Sequence, residues 1–139
     1  MNSSPTQKTE QAHHPAKTIL IVDDYEDNLR MMRMLLEMSG YRVLAAANGL
    51  DAVRLTLQEK PSVIIMDVGL PLLDGMEATR RIRQIPEISR TRIIVLSAYD
   101  AATARDEAIA AGCDNFLTKP VDYTRLEELI RGWLEGGNE

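Results

Sequence analysis

Val63-Ile64-Ile65-Met66-Asp67-Val68-Gly69-Leu70-Pro71 is the stretch on which the reading of this chain turns. Four apolar residues run without alternation and then stop at one carboxylate. A strand with one solvated face alternates apolar and polar residues. A strand apolar at nearly every position is covered on both faces, as in a parallel sheet. Ser62 to Met66 is one of three such runs, the others being Thr18 to Val22 and Ile93 to Leu96. Two less regular runs complete five expected strands: Thr18–Val22, Arg42–Ala46, Val63–Met66, Ile93–Leu96 and Asn115–Leu117.

Longer segments with helical spacing lie between these runs. Leu126, Leu129, Ile130, Trp133 and Leu134 fall at i, i+3, i+4, i+7 and i+8, which is one apolar stripe of a helix. Met31, Met32, Leu35 and Leu36 form a similar stripe. Ala101 to Ala111 is rich in alanine, with Ala104, Ala108 and Ala111 on one side, so that helix can lie close to a sheet. Asn48-Gly49-Leu50-Asp51 and Asp74-Gly75-Met76-Glu77 each place a capping side chain before a helix and an acid three residues later. Asp100 and Asp122 are further N-cap candidates. Gly40, Gly112 and Gly136 stand where helices are expected to end, because a left-handed residue is wanted there. Five strands alternating with five helices predict an α/β fold, a parallel sheet with helices on both faces.

Composition sets the bounds. The 139 residues suit one domain, and 45% hydrophobic against 4% aromatic content calls for an aliphatic core. A net charge of −5 argues against a nucleic-acid surface. The single Cys113 has no partner for an internal disulfide and reads as a small core residue in a reducing compartment. The apolar runs are far too short to cross a membrane, which takes about 18 residues or more, and the N-terminus lacks the apolar stretch of a signal peptide. A cytoplasmic location is expected. Met1 to Ala16, including His13 and His14, is polar and reads as a disordered tail. Residues 17–135 form the expected domain, with a short tail over 136–139.

In open parallel sheets, ligands bind beyond the carboxyl ends of the strands. The first strand ends in Asp23-Asp24, the third in Asp67 and the fourth in Ser97; Lys119-Pro120 follows the fifth. Clustered carboxylates repel one another, which raises their pKa values or calls for a cation. An oxygen-only set suits Mg²⁺. A lysine and a hydroxyl beside the same carboxylates suit a phosphoryl group.

Asp23-Asp24, Asp67 within Ile64 to Pro71, Asp74-Gly75, Ser97-Ala98 and Thr118-Lys119-Pro120 together resemble the signature of bacterial response-regulator receiver domains. The similarity runs from about Lys17 to Leu134, and the order and spacing of the motifs carry it. It implies a doubly wound, flavodoxin-like fold with strand order 2-1-3-4-5. It implies that Asp67 accepts the phosphoryl group. Asp24 and Asp67 would ligate Mg²⁺, with Asp23 assisting and the Gly69 carbonyl supplying a further ligand. Lys119 would bind phosphoryl oxygens, Ser97 would swing toward the phosphoryl group, and Phe116 would follow by turning inward. The Lys119–Pro120 bond would be cis. Phe116 stands where tyrosine is frequent, and Gly69 leaves the site open. Water access would then depend on Gly69 and Tyr99.

The partners implied are a sensor histidine kinase or a histidine phosphotransfer protein. A downstream protein would bind the face made by the fourth helix, fifth strand and fifth helix. Met34, Met38 and Leu29 on the first helix are additional contact candidates. With no output domain after the fifth helix, the chain is expected to act by protein contact, as a single-domain regulator or relay that catalyses only its own phosphorylation and dephosphorylation. Two other readings stay open. A phosphatase of the haloacid-dehalogenase type also uses an aspartate and Mg²⁺, but it expects a second aspartate at the position of Gly69. A receiver-like binding module that takes no phosphate would lack the acidic pair or the lysine, and this chain keeps both.

Overall fold

The structure is a computed structural model that describes residues 17–98 and 102–136. Met1 to Ala16, expected to be a disordered tail, Asp100, expected to cap a helix, Tyr99, expected to govern water access, and the first residue of the alanine-rich helix lie outside the described residues. Elements follow in the order β1 (Thr18–Val22), α1 (Glu26–Met38), β2 (Arg42–Ala46), α2 (Gly49–Glu59), β3 (Val63–Asp67), α3 (Gly75–Gln84), β4 (Arg92–Ser97), α4 (Ala102–Ala111), β5 (Asn115–Thr118) and α5 (Tyr123–Gly136). The five strands form one sheet in the order β2-β1-β3-β4-β5, with every neighbouring pair parallel. This is the expected doubly wound fold.

The unalternating strands divide their side chains between two apolar layers. Leu20, Val22, Ile64, Met66, Ile93, Val95 and Phe116 meet Ala52, Ile82 and Ala108 of α2, α3 and α4 on one face. Ile19, Ile21, Val43, Ile65, Ile94 and Leu96 meet Leu36 of α1 and Leu126 and Ile130 of α5 on the other. Both sides of β3 are therefore dry, and each large aliphatic side chain buried there contributes about 1.5–3 kcal/mol.

The expected caps form. Asn48 Oδ1 accepts from the Asp51 N–H at 2.8 Å, and Asp74 Oδ1 accepts from the Glu77 N–H at 2.9 Å. Asp122 Oδ1 accepts from Thr124 N–H at 3.0 Å, which fixes the start of α5. Gly40 and Gly112 take φ of +96° and +111° after their helices. Gly136, by contrast, is the last residue of α5 rather than a cap beyond it.

Three strands outrun the expected bounds: β3 extends through Asp67, β4 spans Arg92 to Ser97, and β5 reaches Thr118. An apolar count stops at the first polar residue, whereas the ladder continues, pairing Asp67 with Leu96 and Ser97 with Thr118. The polar residues at these ends thus sit on backbone held by the sheet. The apolar stripe of α1 is also narrower than its spacing suggested. Leu36 is fully buried and Met32 and Leu29 pack half-buried, but Met31 is 57% exposed. Met31 joins Met34 and Met38 on the solvent side, and Leu29 packs half-buried against the core. A one-turn 3₁₀ helix, Pro86–Ile88, bridges α3 and β4 and has no counterpart in the sequence reading.

Candidate functional site

The carboxyl edge of β1 and β3 gathers the acids. Asp23, Asp24 and Asp67 each offer a carboxylate oxygen, and these oxygens lie within 4.8 Å of one another. Asp23 and Asp67 are buried and Asp24 is exposed. The three are held differently. The N–H of Asp23 donates to the Ala46 carbonyl at 3.1 Å. Its Oδ1 accepts from the Tyr25 N–H at 2.9 Å, and its Oδ2 accepts from the Asn28 amide at 3.2 Å. Asp67 is the last residue of β3, between strands on both sides.

Gly75 explains how α3 starts so close to Asp67. Its N–H donates to the Val68 carbonyl at 3.0 Å, and a Cβ at this position would stand 2.1 Å from the Asp67 carbonyl oxygen. Only glycine permits that approach. The sequence reading used Gly75 as part of a motif without this reason.

Lys119 supplies the counter-charge. Its Nζ is 2.7 Å from Asp67 Oδ1 and 3.8 Å from Asp23 Oδ2. Its backbone N–H donates to the Ser97 carbonyl at 2.8 Å, and the Lys119–Pro120 bond is cis as the resemblance implied. Burial pushes the Asp67 carboxyl above its ordinary range; Lys119 pulls it back down, while Asp23 and Asp24 push it up further. One ammonium against three carboxylates leaves the cluster net negative. An oxygen-only donor set with this surplus fits a hard divalent cation that keeps part of its water.

Ser97 is buried at the end of β4, one residue past the partner of Asp67 in the ladder. Gly69 lies exposed on the loop after β3, with nothing within 4 Å of where a Cβ would stand. Phe116 is buried, and the Arg105 guanidinium from α4 lies over its ring at 4.8 Å. Sequence reasoning missed both Asn28 and Arg105. Asn28 lies one turn past the acidic pair, and no periodicity signals it. Arg105 reaches Phe116 from another element, which only the fold reveals. Burial raises the pKa of the Cys113 thiol, in keeping with a packing role.

Comparison with known proteins gives one answer. Residues 19–131 match the response regulator receiver domain family. The chain is 39% identical to protein PilH of Pseudomonas aeruginosa over 118 residues, 85% of this chain and 98% of that protein. The receiver domain of sensor histidine kinase PA1611 from the same organism, solved with magnesium coordinated in its active site cleft, superposes with a TM-score of 0.80. It is 34% identical, covering 86% of this chain and 98% of that one. The receiver domain of the Saccharomyces cerevisiae response regulator Ssk1, in a co-crystal structure with the histidine phosphotransfer protein Ypd1, gives a TM-score of 0.79. It is 29% identical, over 86% of this chain and 89% of the matched one.

Proposed function

This chain belongs to the response regulator receiver domain family of two-component signalling, and on that premise we propose that Asp67 is its phosphoryl acceptor. The observation that supports this most is the 2.7 Å contact between Lys119 Nζ and an Asp67 oxygen inside a three-carboxylate cluster. The donor is a phosphohistidine of a sensor kinase or phosphotransfer protein. An Asp67 oxygen forms a P–O bond as the donor P–N bond breaks, and the freed imidazole takes up a proton. Little covalent chemistry is asked of the protein, so catalysis rests on position and charge.

Asp23, Asp24, Asp67 and the Gly69 carbonyl would hold Mg²⁺. When bound, the ion supplies positive charge against which an anionic carboxylate and an anionic phosphoryl group can meet. Lys119 holds a phosphoryl oxygen. Ser97, buried at the neighbouring strand end, offers a hydroxyl to another. That bond exists in one state only, so it can bias Phe116 and the face of α4, β5 and α5 toward a downstream protein partner. The chain works as a cytoplasmic receiver switch that catalyses only its own phosphoryl uptake and loss.

Labelling with acetyl phosphate tests the reading. The parent takes up phosphate in Mg²⁺ and not in EDTA, and Asp67→Asn takes up none while keeping its fold. Base-labile, acid-stable label on Asp67→Asn would assign the acceptor to another carboxylate.

A further inference from the structure

Five of the chain's twelve arginines fall between Arg80 and Arg92, a segment with Glu87 as its single carboxylate, in a protein whose net charge is −5. Three of them meet at the amino edge of the sheet, opposite Asp67. Arg83, Arg90 and Arg92, with Ser89, Gly112 and Asp114, line an open cavity of about 480 Å³.

Arg83 is fixed from all sides. Its Nε donates to the Gly112 carbonyl at 2.7 Å, Nη1 donates to the Ser89 carbonyl at 3.0 Å and also to that of Thr91, and Nη2 donates to Asp114 Oδ2 at 2.9 Å. A side chain at position 112 would collide with the stem of Arg83, since a Cβ there would stand 2.6 Å from Arg83 Cγ. Arg92 reaches the other oxygen of Asp114 at 3.4 Å and lies over the Trp133 ring at 5.3 Å. Among the described residues of the cavity lining, Asp114 is the one carboxylate. Arg90 is exposed and has no ion pair among the described residues. Among the described residues lining this concave site, three guanidinium groups stand beside one carboxylate. Two of the three cations are rigidly placed and only 20% and 35% exposed at the side chain, where solvent screens them less than on an open surface.

We propose that this cavity is a binding site for a small phosphoryl-bearing dianion, held by the Arg90 and Arg92 guanidinium groups in the positive field that Arg83 fixes. Planar guanidinium forks match phosphate oxygens, and their charge does not titrate away. The site lies at the other end of the sheet from the phosphoryl acceptor and stands whether or not Asp67 is phosphorylated.

Residue-resolved NMR titration of the full chain in EDTA tests it, with inorganic phosphate, pyrophosphate and citrate as probes. Pyrophosphate shifts the amide signals of Ser89, Arg90, Gly112 and Asp114 along a saturating curve, more tightly than citrate does. Arg90→Glu weakens this binding ten-fold or more with the rest of the spectrum unchanged, and Arg90→Gln weakens it less. Arg54→Glu, on the exposed face of α2, leaves it as in the parent. Non-saturating shifts spread over all surface arginines, equal binding of citrate, shifts confined to the surroundings of Lys119, or indifference to Arg90→Glu would each overturn the proposal.

Discussion

Asp67 and Asp114 are both aspartates at strand ends, and they sit in opposite company. Asp114, just before β5, accepts from Arg83, Arg92 and the Ile93 N–H, the last two at 3.4 Å and 2.8 Å. Asp67, at the end of β3, has Lys119 on one oxygen and two further carboxylates nearby. The first is saturated by cations and backbone. The second is crowded by like charge and partly desolvated. An aspartate that holds a fold together collects donors, whereas one kept for chemistry is left short of them. The cost of that shortage is met by the dry aliphatic layers on both sides of β3.

The largest effect is expected at the saturated aspartate. Asp114→Ala removes two charge-assisted contacts and leaves the fixed Arg83 guanidinium without its carboxylate, a loss of about 2–3 kcal/mol. Urea unfolding midpoints measure it. A loss near zero would mean that the amino edge is held by the Arg83–carbonyl bonds alone. At the crowded edge the sign reverses. Asp24→Asn removes one like charge and should stabilise the metal-free protein by about 1 kcal/mol, since solvent screens this exposed carboxylate. The same change shrinks the thermal shift produced by Mg²⁺, because a bound ion stabilises by mass action and one ligand is gone. A destabilised variant in EDTA would make Asp24 a structural residue and erase the contrast. The smallest effect belongs to Ser97. Ser97→Ala should accept phosphate from acetyl phosphate as the parent does, with reduced NMR shifts around Phe116. Full-sized shifts would give the coupling to another element, with Arg105 the nearest alternative.

How much of this was legible in the sequence differs between the two edges. The carboxyl edge could be read because strand polarity places Asp23, Asp24, Asp67, Ser97 and Lys119 at successive strand ends, and a parallel sheet brings such ends together. The layers could be read because a strand buried on both faces shows no alternation. The amino edge could not. Arg83 makes its contacts through a long side chain to Gly112, Ser89, Thr91 and Asp114, none of which share a periodicity with it. Gly75 was visible as a glycine, but its close approach to the Asp67 carbonyl depends on where α3 packs. The spacing of the apolar residues in α1 leaves open how much of the stripe the sheet covers, and Met31 stays 57% exposed.

Thermal midpoints of the parent and Asp67→Asn, across pH and with EDTA or Mg²⁺, test the contrast most directly. With its folded carboxyl pKa raised above the ordinary 3.8, Asp67 holds its proton more tightly in the folded chain than in the unfolded one. Its stabilising contribution is complete below 3.8 and is lost as pH rises through the raised folded value. In EDTA, therefore, Asp67→Asn gains on the parent as pH rises through that window and melts higher at neutral pH. Mg²⁺ then raises the parent more than the variant and narrows the gap. A variant that melts below the parent in EDTA at neutral pH, with no differential response to Mg²⁺, would contradict the account and make Asp67 a second Asp114.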